Sequence, residues 1–465
     1  MAQRKRRISK RYLKPRWSYL SQDKKGTLYV AGISVKDLEK KYGTPLYIMV
    51  EREIRNRFRR FKNAFPYPKL RVQYASKINS NLEILKIARE EGIEIDASSL
   101  GEIILALLAD FEPNQITFTN LYKTEQDILF AATVGVQAIT ADAHEELARI
   151  AAVGEKLGKK IKIFIRINPM IEFGNYTTKK HQYGIPIGYA KKAIDYAIKS
   201  RWLDLIGLHF HGGYITNPKA YHLAANRLLK LARYCLDHKT KIRYIDLGGG
   251  FPVEYNSKKC FQPEDMGKKF VEFFMKKIIQ YDLPPPYLIF EPGKFICAHA
   301  GMGLVKVISK KNLGKKKVLV TDGSTYAFVP DPIIYHAYYE MLPANKMNRR
   351  VCKKYTIAGC TCDSIDIIGS NRDFPQLEEH DLIAIMDCGA YSNVMASNFN
   401  TLKRAPMVMI REDGTVKLIR RRDRYSEMFA PELDVLKMAD PQELKKFYDI
   451  SRLNLDKLWG KAKKK

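Results

Sequence analysis

The sequence predicts an α/β fold: a TIM-type (β/α)8 barrel over residues 41–300, followed by a β-rich C-terminal domain over 301–465. Residues 1–40 are expected to supply a basic arm and a strand that joins that second domain. Three observations predict this. Between residues 40 and 300, short runs rich in β-branched residues alternate with stretches of helical period. Each run begins apolar and ends in a polar residue or glycine. After residue 300 the alternation stops, and strand-like segments follow one another with few helical stretches between them.

The barrel strands are expected at LRVQYASK (70–77), IEIDASS (93–99), QITFTN (115–120), QAITAD (137–142), IKIFIRIN (161–168), DLIGLHFH (204–211), RYIDLGGG (243–250) and YLIFEPG (287–293). Helices such as NLEILKIAREEG (81–92) and GYAKKAIDYAIKS (188–200) lie between them. Such repeats in about 250 residues are the signature of a TIM barrel. Lys77, Ser98, Asn120, Asp142, Asn168, His211, the Gly248–Gly250 triplet and Glu291 all fall at carboxyl ends of runs. Those ends build the active-site face of a barrel, and solvation does not explain polar residues at nearly every one of them. Beyond the barrel, LVKVISK, KKVLVTDG, YTIAGCTC, DLIAIMDCG, MVMIRE and TVKLIRR read as strands of the second domain. TLYVAGISV (27–35) is expected to join them, and ADPQELKKFYDISRLNLDKLWG (439–460) to form a terminal helix.

A hydrophobic content of 46% with 11% aromatics is ample for buried cores and argues against disorder. No uncharged apolar run reaches the length of about 18 residues that a membrane span requires. The basic N-terminus lacks the apolar stretch of a secretory signal, so a cytoplasmic protein is expected. The seven cysteines are odd in number and scattered, unlike a disulfide framework. Cys360 and Cys362 form C-x-C with no second pair at zinc-site spacing, so no metal is expected. The net charge of +30 is spread along the chain, with concentrations at residues 1–16 and in the closing KAKKK. That reads as a solvated basic surface whose tails touch nucleic acid non-specifically if at all.

Four features carry chemistry. Lys77, in YASKINSN, stands where a strand gives way to a helix. Apolar walls there would favour its neutral amine, a nucleophile toward carbonyls, whereas a surface turn would leave it a plain cation. The glycines of DLGGGFP follow the seventh strand and let backbone N–H groups approach an anion, and the loops after strands seven and eight commonly bind phosphate in such barrels. Glu291, in the EPGK that ends strand eight, suits a positive centre such as a protonated ring nitrogen, or else an ion pair with Lys294. His209 and His211 sit two apart, hence on one face of a strand. A metal pair would need a third ligand that is not evident. One ring stacked on a flat cofactor and the other hydrogen-bonded in the core is the other reading.

Taken with DASSLGE, RINP, GLHFHGG, GCTCDSIDI and GAYSNVMASNFN, these motifs fall in the order of the fold-type III pyridoxal-phosphate decarboxylases. From about residue 25 to 430 the chain resembles that family, and within it is most similar to the diaminopimelate decarboxylases. The resemblance implies pyridoxal 5'-phosphate as cofactor, carried by Lys77. It implies His211 stacked on the cofactor ring, Glu291 facing the ring nitrogen, and Gly248, Gly249, Gly250, Gly293 and Lys294 around the phosphate. Cys362 matches the residue that returns a proton to the α-carbon, and Tyr391 a tyrosine near the phosphate. Asp363 stands where these enzymes usually carry glutamate. The implied assembly is a homodimer with shared active sites, in which Cys362 of one subunit reaches Lys77 of the other.

Three positions depart from the family pattern. EPGK replaces EPGR at Lys294, and HGGY replaces HIGS at 211–214. In Asp331-Pro-Ile-Ile-Tyr335 an aspartate stands where a substrate-gripping arginine precedes the tyrosine by four. The expected reaction is decarboxylation of meso-diaminopimelate to L-lysine, with Lys294, Asp331, Tyr335, Asp363 and Tyr391 around the substrate. Asp331 leaves open a decarboxylase of ornithine, lysine, arginine or a related D-amino acid, which would present a distal cation. A non-catalytic cofactor-binding protein is the alternative from another class.

Overall fold

The computed structural model describes residues 15–255, 259–438 and 445. The expected terminal helix and most of the N-terminal basic run lie outside these residues. The chain divides into two units, one of residues 51–300 and one that combines the segments before and after it.

The first unit is a closed barrel of eight parallel strands: β1 (Leu70–Ala75), β2 (Glu94–Ala97), β3 (Ile116–Thr119), β4 (Ala138–Ala141), β5 (Ile161–Asn168), β6 (Leu203–His209), β7 (Tyr244–Asp246) and β8 (Tyr287–Phe290). Each pairs with the next, and β8 pairs with β1 through Ile289 and Arg71. Every residue of β2, β3 and β4 is buried, as required of parallel strands covered on both faces. The helices are α1 (Glu51–Ala64), α2 (Leu82–Glu90), α3 (Leu100–Leu108), α4 (Glu125–Val134), α5 (His144–Leu157), α6 (Ala190–Lys199), α7 (Lys219–Asp237) and α8 (Pro263–Gln280). Asn81, Ser99 and Thr124 cap α2, α3 and α4 by accepting backbone N–H bonds.

The helix after β8 is a single turn, Lys294–Cys297, too short to close the ring. That place is taken by α1, which precedes the first strand and packs on both α2 and α8. Ile54, Phe58 and Phe61 form its buried stripe at helical spacing. Against α8 the approach is so close that a Cβ on Gly267 would lie 1.9 Å from the Ala64 carbonyl oxygen.

The second unit holds a nine-stranded mixed sheet. Its long strand Gly301–Leu313 pairs with Lys316–Thr321 and Leu382–Met386, and Lys353–Ala358, Met407–Ile410 and Val416–Arg420 complete the strands foreseen. One boundary differs from expectation. The barrel begins at residue 51 instead of 41, because LYIMV (46–50) pairs antiparallel with Gly301–Leu304 and parallel with Met407–Ile410. All five of its residues are buried, so alternation could not tell a barrel strand from a central sheet strand. TLYVAGISV falls in this unit, as expected, without extending the nine-stranded sheet. It contributes Leu28–Val30 and Ile33–Ser34 to a separate antiparallel three-stranded sheet with Leu20–Gln22. The small sheet shares its apolar core with Leu46, Ile48, Met302 and Val408.

Candidate active site

Lys77 sits in a one-turn 3-10 helix, Ser76–Ile78, directly after β1. The turn is pinned from below: the Ser76 hydroxyl donates to the Asp96 carbonyl at 3.0 Å, and Ser76 Oγ lies 2.6 Å from a Glu102 carboxylate oxygen. Lys77 Nζ then donates to Asp96 Oδ2 at 2.7 Å. The lysine side chain is one-third exposed while that of Asp96 is wholly buried. Burial, reinforced by the nearby charge of Glu291, pushes the Asp96 carboxyl up to about 7, with Lys77 opposing.

Three further strand ends converge beside this pair. His209 ends β6, Asp246 ends β7 and Glu291 follows β8, and one ligand atom from each lies within 4.8 Å of the others. The third partner that His209 lacks in the sequence is thus supplied by the fold. His209 Nε2 lies 3.1 Å from Glu291 Oε1. Burial holds the His209 imidazole below its ordinary value, so it is neutral and donates from Nε2. Burial also works against ionisation of Glu291, but His209 and then Lys77 outweigh it and keep this carboxyl ionised. Asp246 goes the other way: burial and the charge of Glu291 push it well above the carboxylate range. One negative charge is therefore concentrated on Glu291.

The glycine loop abuts this cluster. A Cβ on Gly248, Gly249 or Gly250 would lie 2.5, 2.4 or 2.3 Å from the carbonyl oxygens of Phe210, Glu291 and Gly213 respectively. The loops after β6, β7 and β8 thus meet backbone to backbone at these glycines. Gly293 packs on the Lys77 turn, where a Cβ would meet the Ile78 side chain at 3.0 Å. The Gly249 N–H donates to His211 Nδ1 at 3.2 Å, which makes that nitrogen the acceptor. Burial, and then Arg166, hold His211 well below its ordinary value, so its ring is a neutral imidazole. Arg166 is fixed by Asp142 at 3.0 Å and lies over the Tyr183 ring, 4.3 Å from its centroid. Lys294 opens the short helix after β8, with its ammonium 5.9 Å and 5.8 Å from the ring centroids of Tyr214 and Tyr255.

The remaining predicted residues belong to the β-rich unit. Cys362 is exposed, and its N–H donates to Asn400 Oδ1 at 3.1 Å while Asn400 Nδ2 lies 3.4 Å from its sulfur. Asp363 accepts from the Tyr326 hydroxyl at 2.6 Å, a bond that keeps Asp363 below and Tyr326, at about 12, above their ordinary values. The Tyr326 ring packs on Phe399 at 4.4 Å. Tyr391 is held in the left-handed region at φ +57. Asp331 is 2% exposed, whereas Tyr335, one turn later, is 63% exposed. The two do not share an environment.

Asp96, Asp246, Arg166, Tyr326 and the Cys362 partner Asn400 carry no role in the sequence reading. A signal existed for Asp96 alone, since it follows Glu94 by two and so points to the same face of its strand.

A family model described as "Pyridoxal-dependent decarboxylase, pyridoxal binding domain" matches residues 51–298. Diaminopimelate decarboxylase of Aquifex aeolicus is 30% identical over 420 residues, covering 88% of this chain and 96% of that one. The enzyme of that name from Methanothermobacter thermautotrophicus is 31% identical over 414 residues, covering 87% and 95%. Among solved structures, diaminopimelate decarboxylase of M. jannaschii in complex with L-lysine superposes with a TM-score of 0.81 at 28% identity, covering 90% of this chain and 98% of that one.

Proposed function

The chain belongs to the family of pyridoxal-dependent decarboxylases, and from that membership we propose that it converts meso-diaminopimelate to L-lysine and carbon dioxide. The observation that carries the reading is the meeting of Lys77, Glu291 and the glycine loop at one end of one barrel. The cofactor is pyridoxal 5'-phosphate, and the residues present fit it. Glycines bring three loops together where any Cβ would collide with a neighbouring carbonyl, which leaves their backbone bare of side chains, a one-third-exposed amine stands on the same barrel end, and a buried carboxylate is held ionised.

When bound, the cofactor supplies an electron sink for the carbanion left by loss of carbon dioxide. Lys77 would hold it, Gly248–Gly250, Gly293 and Lys294 would receive its phosphate, and His211 would lie against its ring. Glu291 offers a fixed negative charge to the ring nitrogen, and His209 keeps it fixed by donating from Nε2. Asp96, with a proton affinity near neutrality, holds or releases a proton at the Lys77 amine as substrate displaces it. Cys362 gives its proton to the α-carbon. In this reading the enzyme is a cytoplasmic homodimer in which Cys362 of one subunit serves Lys77 of the other. Among the described residues, no helix is long and apolar enough to cross a membrane.

The departure at Asp331 bears on substrate. A carboxylate there would welcome a distal ammonium only if it met the substrate, and Asp331 is buried apart from Tyr335 of the same motif, which is 63% exposed. That favours diaminopimelate over ornithine or lysine.

The test is carbon dioxide release from a panel of amino acids, together with borohydride reduction and peptide mapping of the holoenzyme. Release from meso-diaminopimelate at least tenfold faster than from lysine or ornithine, with the reduced cofactor on Lys77, is expected. Attachment to another lysine, or a preference for ornithine, sinks the corresponding part.

A further inference from the structure

We infer that Asn400 is a positioning residue for the Cys362 thiol, holding the sulfur ready to become a thiolate while leaving its proton free. The inference rests on the reading of Cys362 as proton donor and adds to it a residue with no assigned part.

The geometry is a reciprocal pair. The Cys362 N–H donates to Asn400 Oδ1 at 3.1 Å, and Asn400 Nδ2 stands 3.4 Å from Cys362 Sγ. The first bond fixes the orientation of the amide, since only its oxygen can accept from a backbone N–H. The nitrogen is therefore what faces sulfur, and an amide nitrogen can only donate. Asn400 adopts this pose in the left-handed region, at φ +53, and Thr401 follows at φ +52. Asparagine tolerates that conformation, whereas a β-branched residue is a genuine outlier there. Tyr326 braces the next residue through Asp363, and its ring rests on Phe399, the neighbour of Asn400. Cys362 and the residue after it are thus held by Asn400 and by a tyrosine whose ring packs on the neighbour of Asn400.

This arrangement has a chemical consequence. To return a proton to carbon, the S–H bond breaks, a C–H bond forms, and the S–H electron pair stays on sulfur. The thiolate is later reprotonated from solvent. A donor aimed at the sulfur strengthens as that charge develops, because hydrogen bonds to ionised acceptors are about twice as strong as neutral ones. It also occupies a lone pair and not the thiol hydrogen, which stays free to point at substrate.

Asn400→Asp separates this role from a merely structural one. It keeps the size, the tolerance for positive φ and the acceptor for the Cys362 N–H, and it replaces the donor to sulfur with a negative charge that opposes a thiolate. The measurement is iodoacetamide alkylation of the holoenzyme at neutral pH, read by mass spectrometry as the rate at Cys362 relative to Cys352, an exposed thiol that serves as internal reference. In the wild type Cys362 is expected to react faster than Cys352, and Asn400→Asp to lower the ratio about tenfold, the worth of one charge-assisted bond. Asn400→Gly, which suits the same backbone and removes both bonds, should fall between. A wild-type Cys362 no faster than Cys352, or a ratio unchanged in Asn400→Asp, overturns the inference.

The catalytic arm is a double-mutant cycle. Asn400→Asp should lower kcat with little change in KM in the wild type, and should have no further effect when Cys362 is already alanine. If the alkylation ratio moves as expected but the two losses multiply, the hydrogen bond stands and Cys362 is not the donor. That outcome removes the broader reading and spares this one.

Discussion

Lys77 and Asp96 face each other across 2.7 Å at the mouth of the barrel, an amine one-third exposed against a carboxylate with no exposure at all. Burial raises the Asp96 value from 3.8 to about 7 in the folded chain. A carboxyl with a raised folded value stabilises the fold fully below its unfolded value and loses that contribution as pH rises through the folded one. The cofactor-free protein should therefore lose thermal stability between roughly pH 4 and pH 7. Asp96→Asn cannot titrate and should flatten that stretch of the profile. Parallel pH profiles of the two proteins would discard the assignment to Asp96. Because the variant also replaces the titrating carboxyl beside Lys77 with an amide that neither takes up nor releases a proton there, kcat should drop by about tenfold or more.

Two glycines separate space from strain. Gly249 would place a Cβ 2.4 Å from the Glu291 carbonyl, whereas Gly135 ends α4 at φ +88 with nothing within 4 Å of its Cβ position. Gly135→Ala should cost about 1 kcal/mol of stability and leave cofactor affinity alone. Gly249→Ala should push the β7 and β8 loops apart and weaken pyridoxal-phosphate binding at least tenfold, measured by titrating the cofactor-free protein. Equal affinities for the two variants would remove the glycine loop from the cofactor site.

If the active site is shared between subunits, inactive chains should repair each other. Lys77→Ala is expected to be inactive and Cys362→Ala to keep only a residual turnover. Mixed under conditions that allow subunit exchange, they should recover up to about a quarter of wild-type activity, one competent site in two for the half of dimers that are mixed. Exchange without recovery contradicts a shared site.

Asp331→Arg places a guanidinium where the wild-type side chain is 2% exposed. An uncompensated buried cation costs several kcal/mol, so a marked fall in thermal midpoint is expected. The ratio of kcat/KM for meso-diaminopimelate over lysine should change by less than about threefold, below the roughly 1 kcal/mol of a single methylene contact. A shift of tenfold or more toward diaminopimelate would place Asp331 in the substrate pocket and revive the distal-cation reading.

The barrel was legible because apolar runs that turn polar or glycine-rich at their carboxyl ends alternate with stretches of helical period. The strand Ile367–Phe374 was not. It lies at an edge of its sheet and carries exposed Ser370, Asn371 and Asp373, so its apolar period is broken. The site was legible residue by residue where a motif names it, as at Lys77, His211 and Glu291. The proton inventory was not, since Asp96, Asp246 and His209 owe their shifted ionisation first to burial and then to Glu291, which the fold brings to them from another strand end.

The strand Leu46–Val50 has Gly301–Leu304 on one edge and Met407–Ile410 on the other. On the ribosome it emerges with neither. At about 5–20 residues per second, its first neighbour follows some tens of seconds later. During that interval five buried apolar residues have two open edges, the arrangement most prone to pairing with a stranger. The intervening residues 51–300 meanwhile form a complete closed barrel. Order of synthesis and order of assembly are thus opposed in the β-rich unit: its central strand is among the first parts made and cannot be seated until the barrel has been translated. Cells expressing this chain should accumulate aggregates seeded by the N-terminal segment whenever elongation stalls within the barrel.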